Sequence, residues 1–273
     1  MLIAQLSDFH VRPPGQLFAD IVDTGAMLAA AVDAVLALSP RPDAVLVSGD
    51  LTNDGEPEAY AAIRPQLARL PMPVYAIPGN HDDRKAMLAL DGVAELGPAI
   101  GFRQYSAELG GLRLIALDSL VPGEAHGAIC AERLAWLVDD LDKSGEQPVL
   151  LMVHHPPATT GIRFMDEIGL VATPELEAVV RAHGQRIQRI VCGHVHRSIF
   201  YRWLGVPVSV APGVAHQVVL GLDGSEPAFV MEPPGFHLHQ WTRDGGLVTH
   251  QVHIGDFAGP YSFGGNPGIP PVG

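Results

Sequence analysis

The sequence predicts an α/β protein built from two packed mixed sheets flanked by helices, a four-layer α-β-β-α sandwich carrying a small cap. Short apolar runs that end in polar residues recur along the first two thirds of the chain, and such runs read as buried strands. Between them lie segments whose apolar residues recur at three- and four-residue spacing, the helical period. Alternation of the two implies an α/β domain. After His196 the texture changes to strand-like pieces with few helical signals.

Taken in order, residues 2–6, 44–47, 74–77, 112–117, 149–153 and 187–192 are the strand runs, and 25–38, 57–70, 131–141 and 174–183 are the helices. Residues 199–204, 206–210, 236–241 and 247–253 read as later strands. The stretch 213–235 is irregular and rich in Gly, Pro and acid, which fits a cap or lid excursion, with a solvated loop as the plainer reading. Residues 259–273 are dominated by Gly and Pro and are expected to be poorly ordered unless they dock on a neighbouring subunit. The chain thus divides into a core (1–197), a segment of second-sheet strands and cap (198–257) and a tail (258–273), with no internal repeat.

At 273 residues, 47% hydrophobic and 17% charged, the chain is long enough to bury a large core. Its formal net charge of −13 leaves no basic patch for a nucleic-acid polymer. An anionic substrate would need local positive charge, which bound metal ions can supply. The N-terminal run lacks a basic region and ends in acid and imidazole, so it reads as a first strand and not a signal peptide. No run approaches the roughly 20 apolar residues of a membrane span. The two cysteines, Cys130 and Cys192, have no metal-type spacing; a reduced cytoplasm with both thiols buried and free is the expectation.

The hydrophilic residues are placed informatively. Asp8-Phe9-His10 follows the first strand, Gly49-Asp50 the second, Gly79-Asn80-His81-Asp82 the third, His154-His155 the fifth and Gly193-His194-Val195-His196 the sixth. Carboxyl ends of strands form the ligand crevice of open α/β sheets. Taken singly, Asp-x-His is commonly a cap and Gly-Asp a turn. An amide beside an imidazole after a buried strand is costly unless used, and Gly-His-x-His aims two imidazoles to one side of an extended segment. Together they bring oxygen and nitrogen ligands to one edge, without thiolate, which argues against a purely structural zinc site.

In this order and spacing, Asp-x-His, Gly-Asp, Gly-Asn-His-Asp, His-His-Pro-Pro and Gly-His-x-His resemble the calcineurin-like metallophosphoesterases, over residues 1–257. Residues 41–50, 55–60 and 78–83 resemble most the class III cyclic-nucleotide phosphodiesterases and the bacterial glycerophosphodiesterases. The resemblance implies one ion held by Asp8, His10 and His196, a second by Asn80, His154 and His194, and Asp50 bridging both. The Asp-Arg-Gly continuation of phosphoprotein phosphatases and the Tyr ligand of purple acid phosphatases are absent, since Asp50 is followed by Leu51-Thr52-Asn53-Asp54-Gly55.

Two such ions about 3.5–4 Å apart generate hydroxide from water near neutral pH and neutralise charge in an in-line displacement. Asp50, Asn80 and His81 are therefore the catalytic candidates, with His81 as acid or hydrogen-bond donor to the departing alkoxide or a phosphoryl oxygen. Asn80, His81 and His216 are the substrate-binding candidates, His216 reaching in from the cap or else lying on the surface. His155 is assigned to support or packing, and Phe164, Met165, Phe229 and Met231 to core packing ahead of an apolar pocket. Fe, Mn, Zn and Co all suit these ligands. The implied substrate is a small phosphodiester, a cyclic nucleotide such as 3′,5′-cyclic AMP or a glycerophosphodiester, which the ligand motifs do not separate. A broad phosphomonoesterase is the alternative; a non-catalytic scaffold would show eroded ligands, and all seven positions are filled. The family habit of pairing through the cap implies a homo-oligomer.

Overall fold

The structure, a computed structural model, describes residues 1–90, 101–224 and 226–262. Strand β1 (Leu2–Leu6) leads through helix α1 (Thr24–Ala37) to β2 (Ala44–Val47), and α2 (Pro57–Leu67) leads on to β3 (Val74–Ala76). β4 (Tyr105–Leu109) and β5 (Leu112–Leu117) form a hairpin, followed by β6 (Gly127–Ala128), α3 (Ala131–Lys143) and β7 (Val149–Val153). Then come α4 (Arg163–Glu167), β8 (Leu170–Val171), α5 (Pro174–His183), β9 (Ile187–Cys192), β10 (Ile199–Trp203) and β11 (Val206–Val210). The later strands are β12 (Gln217–Val218), β13 (Phe229–Val230), β14 (Gly235–Thr242) and β15 (Gly246–His253).

Local chemistry explains most boundaries. Asp23 accepts from the Ala26 amide ahead of α1, and Thr173 accepts from the Leu176 amide ahead of α5, each satisfying a donor that the first helical turn leaves open. Pro57 and Pro174 start their helices, where a missing N–H is harmless. Helix α2 stops at Leu67, short of the expected residue 70, as Pro71 and Pro73 bar its continuation. Strand β4 is absent from the sequence reading, although Gly110-Gly111 between it and β5 is a hairpin signal.

Among the described residues one sheet runs β15-β14-β1-β2-β3 and the other β10-β11-β9-β7-β5-β4. β1, β2 and β3 are parallel, as are β11, β9, β7 and β5, whereas β14, β15, β10 and β4 run antiparallel to their neighbours. Both sheets are therefore mixed. Of the strands after residue 198, β10 and β11 extend one sheet, whereas β14 and then β15 add beyond β1 in the other. Three apolar cores define four layers. Ala4, Leu6, Val45 and Val47 pack on Leu28, Val32 and Ile63 of α1 and α2. Ile115, Leu151 and Ile190 pack on Leu137, Leu141, Leu176 and Val180 of α3 and α5. Between the sheets, Ile3, Ala44 and Leu46 meet Leu114, Leu150, Met152 and Val191.

The stretch 213–235 holds the small β12–β13 ladder. Cys192 is buried and free, but Cys130 is free and exposed, contrary to expectation, because it precedes α3 at the surface, where its sulfur accepts from Arg133 Nε. Met165 and Phe164 join the second-sheet core, while Met231 is half exposed and Phe229 lies elsewhere, against His216. The tail beyond residue 262 lies outside the described residues.

The inter-sheet face also buries polar groups. His237 on β14 meets the Ser198 hydroxyl at 2.8 Å with its Nδ1 unpartnered, and burial aided by the charge of Arg189 pushes its pKa down to about 4. The unfolded ring takes its proton near pH 6.5, so this contribution is complete above about 6.5 and is lost as pH falls towards 4, up to about 3 kcal/mol. Urea titrations at about pH 7.5 and about pH 5 should show a smaller acid-induced loss for H237Q than for wild type, and equal losses would remove His237 as a cause.

Candidate metal centre

Parallel strands in both sheets end on the same edge, and the loops beyond them stay paired. The amides of Asp8, His10 and Val11 donate to the carbonyls of Gly49, Asp50 and Leu51, each at 3.0 Å, and the Gly193 amide donates to the His154 carbonyl at 3.0 Å. At these ends the backbone turns sharply: Asp8, His10, Asp50, His194 and His196 adopt φ of 57°, 46°, 52°, 73° and 50°. Left-handed conformations of this kind cost a non-glycine residue roughly 1–2 kcal/mol each, and they cluster where function needs a side chain aimed against its local preference.

The turns bring the seven predicted ligands together. Asp8, His10, Asp50 and His196 offer ligand atoms within 4.8 Å of one another, all buried. The Asn80 Oδ1 lies 3.2 Å from His154 Nε2 and 3.1 Å from His194 Nδ1. Asp50 stands between the two groups, its Oδ2 3.5 Å from His10 Nε2 and 3.3 Å from His154 Nε2, while its Oδ1 accepts from the His81 amide at 2.9 Å. A Cβ on Gly79 would fall 2.1 Å from that Oδ1, so only glycine lets the third strand end approach Asp50.

The donor set fits metal ions. Asp8 Oδ2 and His194 Nε2 are buried without a hydrogen-bond partner, and the His10 and His196 Nε2 atoms face each other at 3.0 Å, an arrangement suited to a shared cation. The other ring nitrogens are oriented by backbone: His154 Nδ1–H donates to Ser48 O at 2.7 Å and His196 Nδ1–H to His216 O at 3.0 Å. Such contacts fix tautomer and ring orientation in metal sites.

The electrostatics agree. Burial, with the neighbouring imidazoles adding to it, holds His10 and His194 well below the ordinary histidine range, and therefore neutral. Burial also raises Asp8. For Asp50 burial pushes upward but the imidazoles of His154 and His81 outweigh it, holding the carboxyl well below its usual range. Burial opposes the charge on His154, yet the Asp50 carboxylate raises it to about 9. Ligation needs a neutral imidazole, so a cation entering this corner displaces that proton.

Of the remaining candidates, His81 lies at the rim, its Nδ1–H donating to Asn53 O at 2.7 Å and its ring 4.7 Å from that of His10. His216 is buried, which overturns the surface reading: it packs 4.6 Å from the His196 ring and stacks on Phe18 at 4.3 Å, with Phe229 across both. The segment carrying it is tied back over the site, Val214 N donating to Ser7 O. His155 lies against His194, but both its nitrogens are engaged, Nδ1 by the Ser119 hydroxyl at 2.8 Å and Nε2 by Ala125 O at 3.2 Å. That leaves it no lone pair for an ion.

Four residues of the site were given no role from the sequence. Asp82 is buried and accepts from the amides of Leu51, Thr52 and Gly79 and the hydroxyls of Thr52 and Tyr60, tying the second and third strand ends together. Asp118, fully buried after β5, holds Arg84 at 2.6 and 2.9 Å, and Ser119 holds His155. The Asp118-Ser119 pair follows an apolar strand in the same way as the recognised motifs, which was the available signal. Phe18 sits in a turn among other apolar residues, Leu17, Ala19, Ile21 and Val22, and offered none. Beside His81 opens a cleft of about 600 Å³ whose walls include Asn53, Asn80, Lys85, Glu124 and Ala125.

A family model described as "Calcineurin-like phosphoesterase" matches residues 1–198. A protein of Arcobacter nitrofigilis named "Probable glycerophosphodiester phosphodiesterase GpdQ" is 36% identical over 264 residues, covering 96% of this chain and 97% of its own. A "Probable cyclic nucleotide phosphodiesterase" of Rhodococcus erythropolis is 34% identical over 260 residues, covering 93% and 80%. Among solved structures, a dimetal phosphatase from Danio rerio superposes with a TM-score of 0.62 at 15% identity, covering 93% of this chain and 99% of that one, a likeness of fold.

Asp82→Asn keeps the volume but replaces one acceptor oxygen by an NH2 donor facing backbone amides that themselves donate. A stability loss of about 2–4 kcal/mol is expected by urea denaturation; a loss below about 0.5 kcal/mol would mean that Asp82 does not hold the two loops.

Proposed function

The chain belongs to the calcineurin-like phosphoesterase family, and we propose that within it the protein hydrolyses small phosphodiesters at a two-metal centre held by Asp8, His10, Asp50, Asn80, His154, His194 and His196. The observation that carries the proposal is the position of the Asp50 carboxylate, within 3.5 Å of His10 on one side and 3.3 Å of His154 on the other, as a bridging ligand requires. When bound, the metal pair supplies Lewis acidity and a strong nucleophile drawn from water near neutral pH. Fe, Mn, Zn and Co are the candidate ions.

The chain's own residues do the rest. Neutral Asn80 ligates without adding negative charge against an anionic substrate. The Asn53 carbonyl fixes Nδ1–H of His81 as the donor on that side, so the ring in its imidazolium form, protonated at Nε2 as well, would give the Nε2 proton to the departing alkoxide as the P–O bond breaks and a new P–O bond forms to water oxygen. His216, packed on Phe18 and facing the His10 and His196 rings, bounds the opposite side and contacts the substrate. The 213–235 segment thereby acts as a cap.

Glycerophosphodiesters are the favoured substrates. Similarity to the Arcobacter protein covers 96% of this chain and 97% of that one, and the described lining of the cleft beside His81 is mostly polar and charged residues. Cyclic nucleotides form the second reading, supported by the relatives that bear that name. Among the described residues no helix is long and apolar enough to cross a membrane, and two free thiols suit a reduced cytoplasm. Exposed Leu220, Leu222 and Met231 on the cap support pairing of two copies there, which light scattering checks.

Chelation should abolish activity and Mn²⁺ should restore it. On the Mn-loaded enzyme, kcat/KM should be higher for glycerophosphoethanolamine than for 3′,5′-cyclic AMP, 2′,3′-cyclic AMP or a bis-nitrophenyl diester. A nitrophenyl monoester cleaved much faster than every diester would shift the assignment to a phosphomonoesterase. His81→Ala should lower kcat by about 10²–10⁴-fold with little change in metal content, and a kcat within about twofold of wild type would end the assignment of His81. Asp50→Ala should be the most damaging ligand substitution, losing both activity and metal.

A further inference from the structure

Position 5 is anomalous. In β1 the residues alternate, Ala4 and Leu6 facing the helices and Ile3 facing the other sheet, so Gln5 falls on the inter-sheet face, where an apolar side chain is the default. It is fully buried, and a primary amide there is costly unless its hydrogen bonds are made.

They are made, and each lands on a strand end of the proposed metal centre or on the strand behind it. Gln5 Nε2 donates to the Cys192 carbonyl and to Ser48 Oγ, both at 2.9 Å, and Gln5 Oε1 accepts from His239 Nε2 at 3.0 Å. Because a carbonyl can only accept, the Cys192 contact settles which end of the amide is nitrogen. His239 must then carry its proton on Nε2 and accept at Nδ1 from the Thr249 hydroxyl, 2.8 Å away. On the other side Ser48 Oγ, having accepted from Gln5, donates to Ser7 Oγ at 2.8 Å. The result is a directed chain, Thr249 to His239 to Gln5 to Ser48 to Ser7, crossing β15, β14, β1 and β2, with Cys192 on β9 as a branch.

Its terminal members adjoin ligands. Ser7 precedes Asp8, Ser48 lies two residues before Asp50 and offers its carbonyl to His154, and Cys192 lies two residues before His194. A Cβ on the intervening Gly193 would stand 2.0 Å from Ser7 Oγ and 2.9 Å from Asp8 Oδ2, so the spacing among these three strand ends has no slack. We propose that Gln5 is a positioning residue of the metal centre, its amide setting the distance between the strand ends that carry Asp8, Asp50 and His194 on two different sheets. The inference rests on the two-metal reading above.

The test measures Mn²⁺ binding to the full-length chain by equilibrium dialysis, together with the visible absorption of the Co²⁺-loaded protein. Gln5→Met should weaken Mn²⁺ binding about tenfold, the low end for partners that orient ligands, and shift the Co²⁺ bands. Leu137→Ala, a core deletion on α3 outside this chain of hydrogen bonds, should leave Mn²⁺ affinity within about twofold of wild type while lowering the melting temperature. Gln5→Met with wild-type affinity and bands overturns the proposal, and so does an equal affinity loss in Leu137→Ala. Should Gln5→Met fail to fold, Gln5→Glu, which keeps the acceptor for His239 but loses both donors, and Ser48→Ala are read by the same criterion. Wild-type protein that binds no Mn²⁺ overturns the two-metal reading and this proposal together.

Discussion

Everything at the site depends on a backbone constraint: five non-glycine residues at strand ends hold left-handed conformations that turn their side chains back over the sheet edge. A strand that simply continued would point alternate residues to opposite faces, and Asp8 and His10 could not share a site with residues of the other sheet. Parallel register places the turns level, Leu6 beside Val47 and Val47 beside Ala76. The strain is sustained because the surrounding contacts over-determine it. Asp82 alone gathers five donors from the two loops after β2 and β3, and paired loop backbones carry the ladder past its nominal end.

The same convergence creates an electrostatic problem whose solution is a cation. Asp8, Asp50 and Asp82 are buried together, and burial raises Asp8 and Asp82, the latter further under the influence of Asp50. Imidazoles only partly relieve this, because most of them are themselves driven neutral by burial. A neutral imidazole does little for a buried carboxylate but is the form that ligates metal. Burial thus holds His10 and His194 in the form that ligates metal, whereas His154, raised by Asp50, would first release a proton.

The α/β class, ten of the eleven strands of the two large sheets and the four long helices were legible, because the inner strands read as continuous apolar runs and the helices carry three- and four-residue spacing. Strand β4 was not, since its half-buried edge position gives a mixed pattern. The seven ligand candidates were legible as a set because each sits directly after a strand, which also made Asp118-Ser119 readable. What the sequence hid depends on packing between distant segments. His216 looks like a loop histidine until Val214 is tied to Ser7, and Gln5 looks like an interruption in a strand until Cys192, Ser48 and His239 surround it. Cys130 was misplaced for the complementary reason, as that helix start lies exposed at the surface.

The division between what could and could not be read follows the division of labour in the site. The metal cradle stands on strand ends, where register and hydrogen bonds leave one arrangement, so residue type and position there specify chemistry. The walls that a substrate would touch come from loops: the turn bearing Phe18, the segment with Glu124 and Ala125, and the excursion after His216. Loops vary freely on a rigid scaffold, so the same cradle accommodates different ester substituents as its walls change. His155 joins the two halves. One of its nitrogens holds Ala125 in the cleft wall, while its ring braces His194. A change in the cleft that moves the Ala125 carbonyl would therefore be felt at the His194 ring.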